Sequence, residues 1–302
     1  MSNALFEVSR TMDTIIHPPL RQINKARKLV NVVPGEGIGE LSVDWIELEA
    51  MSDAMIAYSF STGAEDTVDF SLQNSKIPLI WKDFTLDRRL YEAMRRKNTN
   101  VDASAALEAA YTVSSAEEMM ILRGITRNGT TFEKNGLYEG AGQDYSTPKA
   151  IGTYGGIQDA VTDVYEMMDD SDVPTDSLRW NLSMSPNIYN KVNKSRSAND
   201  VKEMKDLLEL LGTPNNPGNV FKSNTLPSVS TTGSALLTPT PDTGSQYFDY
   251  YLSAEVQTEL GQDGKHPRTG PISGRIFESG VLRIRKNAVI GKMTALSTAA
   301  SV

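Results

Sequence analysis

From Leu29 to Ser75 the chain carries neither lysine nor arginine, yet it holds nine acids: Glu36, Glu40, Asp44, Glu47, Glu49, Asp53, Glu65, Asp66 and Asp69. The next segment, Lys76 to Lys97, reverses the sign. It has seven basic residues (Lys76, Lys82, Arg88, Arg89, Arg95, Arg96 and Lys97) against Asp83, Asp87 and Glu92. A chain that separates its charges in this way can recognise copies of itself, an acidic ribbon on one subunit lying across a basic face on the next. That is a property of an assembly protein more than of an enzyme.

The rest of the composition narrows the chemistry. At 302 residues the chain is long enough for one large domain or two ordinary ones. It has no cysteine, which removes disulfides, thiolate nucleophiles and Cys-based zinc sites. Its two histidines, His17 before Pro18-Pro19 and His266 before Pro267, read as loop residues, and neither has a nucleophile context. No apolar run approaches the ~20 residues of a membrane span, and Met1–Arg10 has no signal-peptide pattern. A cytoplasmically made, soluble protein is expected. The net charge of −8 argues against a coat that binds nucleic acid over its whole surface. The two chain ends are nevertheless basic, with Arg10, Arg21, Lys25, Arg27 and Lys28 at one and Arg283 and Arg285 near the other.

Periodicity gives the elements. Residues 1–33 read as a short arm broken by Pro18-Pro19. Strand-like patterns over Leu41–Leu72, with Ser61-Thr62-Gly63-Ala64 as tip, predict a long hairpin with little core of its own. Such a hairpin needs a surface to lie on. A strand over Ile77–Phe84, a basic helix over Leu86–Lys97 and a long helix over 102–123 follow. Ala103, Ala106, Ala110, Val113, Ala116 and Met120 make a small-residue stripe on that last helix, suited to close packing on a sheet. Ile125–Tyr145 reads as irregular, and Gly156–Met168 as an amphipathic helix. Leu178–Met184 reads as an alternating strand, and Ser185-Pro186 as a helix start. A helix after Asp200 ends at Gly212, and Pro214–Gly244 reads as loops at a domain tip. Tyr247–Leu252 is an aromatic strand. The C-terminus is read as two strands, Gly274–Glu278 and Val281–Arg285, joined by a Ser279-Gly280 turn.

No constellation supplies a nucleophile, a base and an oxyanion site together. Asp169, Asp170, Asp172 and Asp176 lack the offsets of a calcium loop and read as a solvated helix end. Gly35, Gly37 and Gly39 are followed by no Lys-Ser/Thr, so they form no phosphate loop. Glu117 and Glu118 diverge by about 100° on a helix and read as part of a polar face. The Arg283/Arg285 face is open between nucleic acid and acidic neighbours. No cofactor and no metal are expected.

The order of elements resembles the shell proteins of tailed phages and of encapsulin nanocompartments, the Hong Kong 97 type of capsid fold. Three stretches carry the resemblance: Pro78-Leu79-Ile80-Trp81-Lys82-Asp83-Phe84-Thr85-Leu86-Asp87-Arg88-Arg89; Ala110–Gly124 with Asn135-Gly136-Leu137; and Leu182–Val192. The resemblance implies an α+β fold with an N-terminal arm (1–40) and an extended loop (41–75). It further implies a peripheral domain (76–178) with a spine helix (102–123), an axial domain (179–249) and a return to the peripheral domain (250–302). It implies a major capsid protein that self-assembles through pentamers and hexamers into an icosahedral head around double-stranded DNA. The expected place is the virion, assembled in the host cytoplasm, with portal, scaffold or decoration proteins as further partners and no membrane. An encapsulin-type shell around a cargo enzyme is the alternative; a soluble α+β enzyme is the third. Some shells of this type cross-link a lysine of the extended loop to a neighbour, and 41–75 contains no lysine, so a non-covalent shell is expected. The expected inter-subunit contacts are Asp44, Trp45, Glu47, Glu49, Asp53, Tyr58, Phe60, Glu65, Asp66 and Asp69 against Arg88, Arg89, Arg95, Arg96 and Lys97. Arg10, Arg21, Lys25, Arg27 and Lys28 are the expected genome-facing cations.

Overall fold

The computed structural model describes residues 25–48, 70–96, 104–127, 131–213, 215–262 and 271–299. After a 3-10 turn at Ala26–Lys28 come β1 (Asn31–Pro34), β2 (Ser42–Leu48), β3 (Phe70–Lys76) and β4 (Leu79–Leu86). Helices α1 (Arg88–Arg96) and α2 (Ser104–Leu122) lead to β5 (Gly124–Arg127), β6 (Thr131–Asn135), β7 (Gln143–Tyr145) and β8 (Lys149–Ala150). Then follow α3 (Gly156–Asp169), β9 (Trp180–Met184), α4 (Pro186–Lys194) and α5 (Glu203–Leu210). The last part holds β10 (Asn219–Lys222), β11 (Ser228–Val229), β12 (Thr232–Pro239), α6 (Pro241–Gly244), β13 (Phe248–Gln262), β14 (Ile272–Ile284) and β15 (Gly291–Ser297).

Two sheets organise the chain. A four-stranded sheet has the order β1-β13-β14-β4, and a seven-stranded sheet has β10-β9-β12-β15-β7, with β11 on β12 and β8 on β15. The hairpins β2-β3 and β5-β6 stand apart from both. Helix α2, roughly 28 Å long, lies on β4 and β14. Ala106, Ala109, Ala110 and Val113 are buried there against Phe84, Leu260, Ile272 and Ile276. Small side chains let the helix axis approach the sheet, as the stripe predicted, except that Ala116 is exposed.

The structure departs from the sequence reading in several places. Ile125–Tyr145 is not irregular: it contains the β5-β6 hairpin and β7. Gly124, at φ +101, ends α2 in the left-handed region, and a side chain there would strike the Lys134 backbone. The Pro214–Gly244 stretch contains β12, seven of whose eight residues are buried. Its Ala235-Leu236-Leu237 core is too short to show a period among the surrounding Ser, Thr and Pro. Strand β9 does not alternate: all five residues are buried, because β10 and β12 flank it and helices cover the sheet. Ser279-Gly280 is no turn: β14 runs through it without a break. A Cβ at Gly280 would meet the Tyr250 ring, so this glycine makes room for an aromatic on the paired strand, beside a register shift between Leu252 and Ala254. The end of the arm is itself structured, as β1 pairs in parallel with β13. Strand β15 joins the seven-stranded sheet rather than returning with β13 and β14 to the other.

Candidate assembly interface

The β2-β3 register sets Val43 opposite Ser75, Trp45 opposite Gln73 and Ile46 opposite Leu72. Strand alternation then sorts the hairpin into two faces. Val43, Trp45, Glu47, Gln73 and Ser75 share one face, where Val43 and Ser75 are buried. Asp44, Ile46, Leu72 and Asn74 share the other, and all four are exposed, Leu72 at 72% and Ile46 at 46%.

The first face is fastened to its own chain. Trp45 Nε1 donates to Ser75 Oγ at 3.0 Å. The Lys134 ammonium, from β6, donates to the same oxygen and lies 5.6 Å from the centre of the Trp45 ring. Burial, and then the Arg283 charge, pull Lys134 down to about 8. Trp45 is thus held within its own chain, whereas Ile46 and Leu72 face outward.

Two of its acids are positioned by amides on the paired strand. Asp44 Oδ1 accepts from Asn74 Nδ2 at 2.6 Å, and Glu47 Oε2 accepts from Gln73 Nε2 at 3.0 Å. Both partners are neutral amides, which position a carboxylate without cancelling it. Glu49, Asp53, Tyr58, Phe60, Glu65, Asp66 and Asp69 lie outside the described residues.

The opposite sign sits on α1. Asp87 Oδ1 accepts from the Arg89 backbone N–H at 2.7 Å and caps the helix. Arg89 and Arg96 are exposed and Arg88 is half-buried. Arg95 lies on the same helix; Lys97 lies outside the described residues. Beside this basic helix, β4 forms an edge of its sheet. Leu79 (48% exposed) and Trp81 (57%) stand on it, and with Met119 (47%) and Ala116 of α2 they line an apolar groove of ≈ 350 Å³. Exposed Leu, Trp and Met gathered in one groove make it a candidate assembly surface.

The other basic candidates turn inward. Arg283 Nε and Nη2 donate to the buried Asp249 carboxylate at 2.6 and 2.9 Å, and Arg285 Nη2 donates to it at 2.6 Å. Both arginines are therefore tied to one buried carboxylate within the chain. Arg27 was expected to face a genome, but its guanidinium donates to Glu117 at 2.7 Å and to Glu278. Glu117 is 1% exposed, so it belongs to no polar face of α2. Its neighbour Glu118 accepts from Ser223 Oγ at 3.0 Å. Lys25 Nζ donates to the Lys222 carbonyl at 2.8 Å. Lys28 is exposed, and Arg10 and Arg21 lie outside the described residues. An isolated arginine near a chain end gave no sign of these distant partners, which the sheet brings together.

Comparison with known proteins settles the class. Residues 6–240 match the family model described as Linocin_M18, encapsulating protein for peroxidase. The chain belongs to this encapsulating-protein family. Over 122 residues it is 28% identical to the diheme-cytochrome-encapsulin shell fusion protein of Kuenenia stuttgartiensis, a match covering 38% of this chain and 31% of that protein. Among solved structures, the virus-like particle from Pyrococcus furiosus superposes with a TM-score of 0.64 at 15% identity, covering 95% of this chain and 98% of that one. The capsid of Myoviridae phage XM1 gives 0.67 at 14% identity, covering 91% and 92%. The fold of this family member is thus the Hong Kong 97-type capsid fold, and the chain is a shell-forming protein.

Proposed function

We propose that many copies of this chain close into an icosahedral shell held by non-covalent contacts. The outward face of one β2-β3 hairpin covers the β4-α2 groove and the basic helix α1 of the next copy. The observation that carries this reading is that two different apolar surfaces of the same chain, Ile46/Leu72 and Leu79/Trp81/Met119, both remain exposed. A contact between unlike patches is head-to-tail, and it forms rings when the rotation from copy to copy closes. The exposed Asp44 on the outward face of the hairpin and Arg88, Arg89 and Arg96 on α1 fix its polarity. In this arrangement the four-stranded sheet with α2 is the peripheral domain. The seven-stranded sheet is the axial domain, gathered around the five-fold and six-fold axes.

The enclosed material on this reading is a protein cargo, which the family match supports. The internal pairing of Arg27, Arg283 and Arg285 also removes cations on which a DNA-enclosing head would draw. Electron microscopy of purified particles, with nuclease digestion and mass spectrometry of their contents, tests both levels. Closed shells with a co-purifying protein are expected. Nuclease-protected double-stranded DNA would replace the cargo reading with a viral head. Small oligomers under all conditions would defeat the shell reading itself.

A further inference from the structure

The loop before α3 and the end of α4 enclose a pocket of ≈ 380 Å³. Gly152, Thr153 and Tyr154 line it from the loop; Lys191, Lys194, Ser195 and Arg196 line it from the last turn of α4 and the residues after it. Three of these residues are cationic and none is acidic. Lys191 is half-buried, and Lys194 and Arg196 are exposed. Among the described residues neither lysine forms an ion pair. Arg196 donates through Nη1 to Asp200 Oδ1 at 2.8 Å, which leaves the rest of its guanidinium fork open. The loop opposite supplies donors of a second kind. Ile151 N–H donates to Ser297 and Gly156 N–H to Thr153, but the N–H groups of Gly152, Thr153 and Tyr154 bond to no other described residue. Successive unused main-chain N–H groups beside cations suit an anion. The acids that touch this lining are already held. Glu203 Oε1 accepts from the Gly155 N–H at 3.0 Å, and Asp206 accepts from the Tyr154 hydroxyl. Lysines in a last turn complement the helix dipole, which accounts for Lys191 and Lys194. It does not account for Arg196 beyond the helix end or for the unused N–H groups of the loop.

We propose that this pocket, between the loop before α3 and the end of α4, binds a phosphate group, carried by inorganic phosphate or by a small phosphate ester. A phosphate group offers several acceptor oxygens around one centre, so it can take donors from Lys191, Lys194, Arg196 and the loop together. A carboxylate, with two oxygens and a single charge, would leave more of these donors unused. The pocket has the size of a small-molecule site and leaves room for the organic part of an ester. Binding joins the loop to α4 within one subunit. The inference therefore stands apart from shell closure and from what the shell encloses.

Isothermal titration calorimetry of the intact purified protein in phosphate-free buffer tests this, with inorganic phosphate and glycerol 3-phosphate as the two probes. Saturable binding of one molecule per subunit is expected. Lys191→Gln combined with Lys194→Gln should weaken it about tenfold or more. Lys202→Gln combined with Lys205→Gln removes the same charge from exposed residues outside the pocket. That variant should bind within about twofold of the wild type. Tighter binding of the ester assigns the rest of the pocket to its organic part; equal or weaker binding of the ester assigns the site to phosphate itself. Absence of saturation with both probes, or an equal loss in the two double variants, overturns the site. If the Lys191/Lys194 variant does not fold, Arg196→Gln takes its place under the same criterion.

Discussion

The two sheets leave opposite amounts of work undone. In the seven-stranded sheet every residue of β9 and nearly every residue of β12 is buried, and Trp180, Leu182, Leu236 and Leu237 are covered within one chain. In the four-stranded sheet, β4 buries Phe84 and Leu86 but leaves Leu79, Trp81, Lys82 and Asp83 in solvent. The hairpin that precedes it exposes Ile46 and Leu72. The central strands of one sheet are covered within a single copy; the other sheet has an edge strand and a groove that a single copy leaves open. On the proposed reading, stability of the subunit and assembly of the shell rest on different residues.

Substitutions can break that division. The largest effect is expected inside the seven-stranded sheet. Trp180 packs at 5.4 Å from the Tyr165 ring, and Trp180→Ala should cost about 3–5 kcal/mol. It should appear as loss of soluble subunit and a lower urea midpoint, before assembly enters. Trp81→Ser should do the reverse. Folding and circular dichroism should stay unchanged, while the interface loses about 1.5–3 kcal/mol per copy. The protein concentration at which shells form in sedimentation should then rise about tenfold or more. Equal damage to folding and to assembly from Trp81→Ser would erase the distinction between the sheets.

Two smaller effects sharpen it. Lys134 is held near 8 in the folded chain and has a reference value of 10.5. Between those values the unfolded chain binds more protons, so stability should rise with pH across that window and be flat below it. Lys134→Met should remove that rise; an unchanged pH profile would show that Lys134 does not feel its surroundings as described. The smallest effect belongs to α1. Reversing Arg88 and Arg89 to Glu should change each exposed pair by about 0–1 kcal/mol. It should be visible as a lower assembly yield at low salt that converges with wild type as salt screens the charges. An unchanged yield and salt dependence would exclude these arginines from the contact.

Much of the frame was legible in the chain. The hairpin strands, the small-residue spine helix, the helix start at Pro186 and the charge reversal near Ser75 are local patterns, and local patterns survive in sequence. The buried charges were not legible. Arg27 and Glu278 are 251 residues apart, and each looks like an ordinary surface residue in its own neighbourhood. Arg283 and Arg285 alternate on a strand as a nucleic-acid face would, but Asp249 on the paired strand takes both. Strand β12 was hidden among Ser, Thr and Pro because a strand buried on both faces has no alternation to show.

The sequence by itself determined an acidic segment, a basic helix after it and the absence of lysine within the acidic segment. Those are properties of composition and short-range period. Only the tertiary structure decided which charges remain available to a neighbour and which are closed inside. Whether a carboxylate or a guanidinium faces water depends on what the sheet register places opposite it, and that register is set by contacts between residues far apart in the chain.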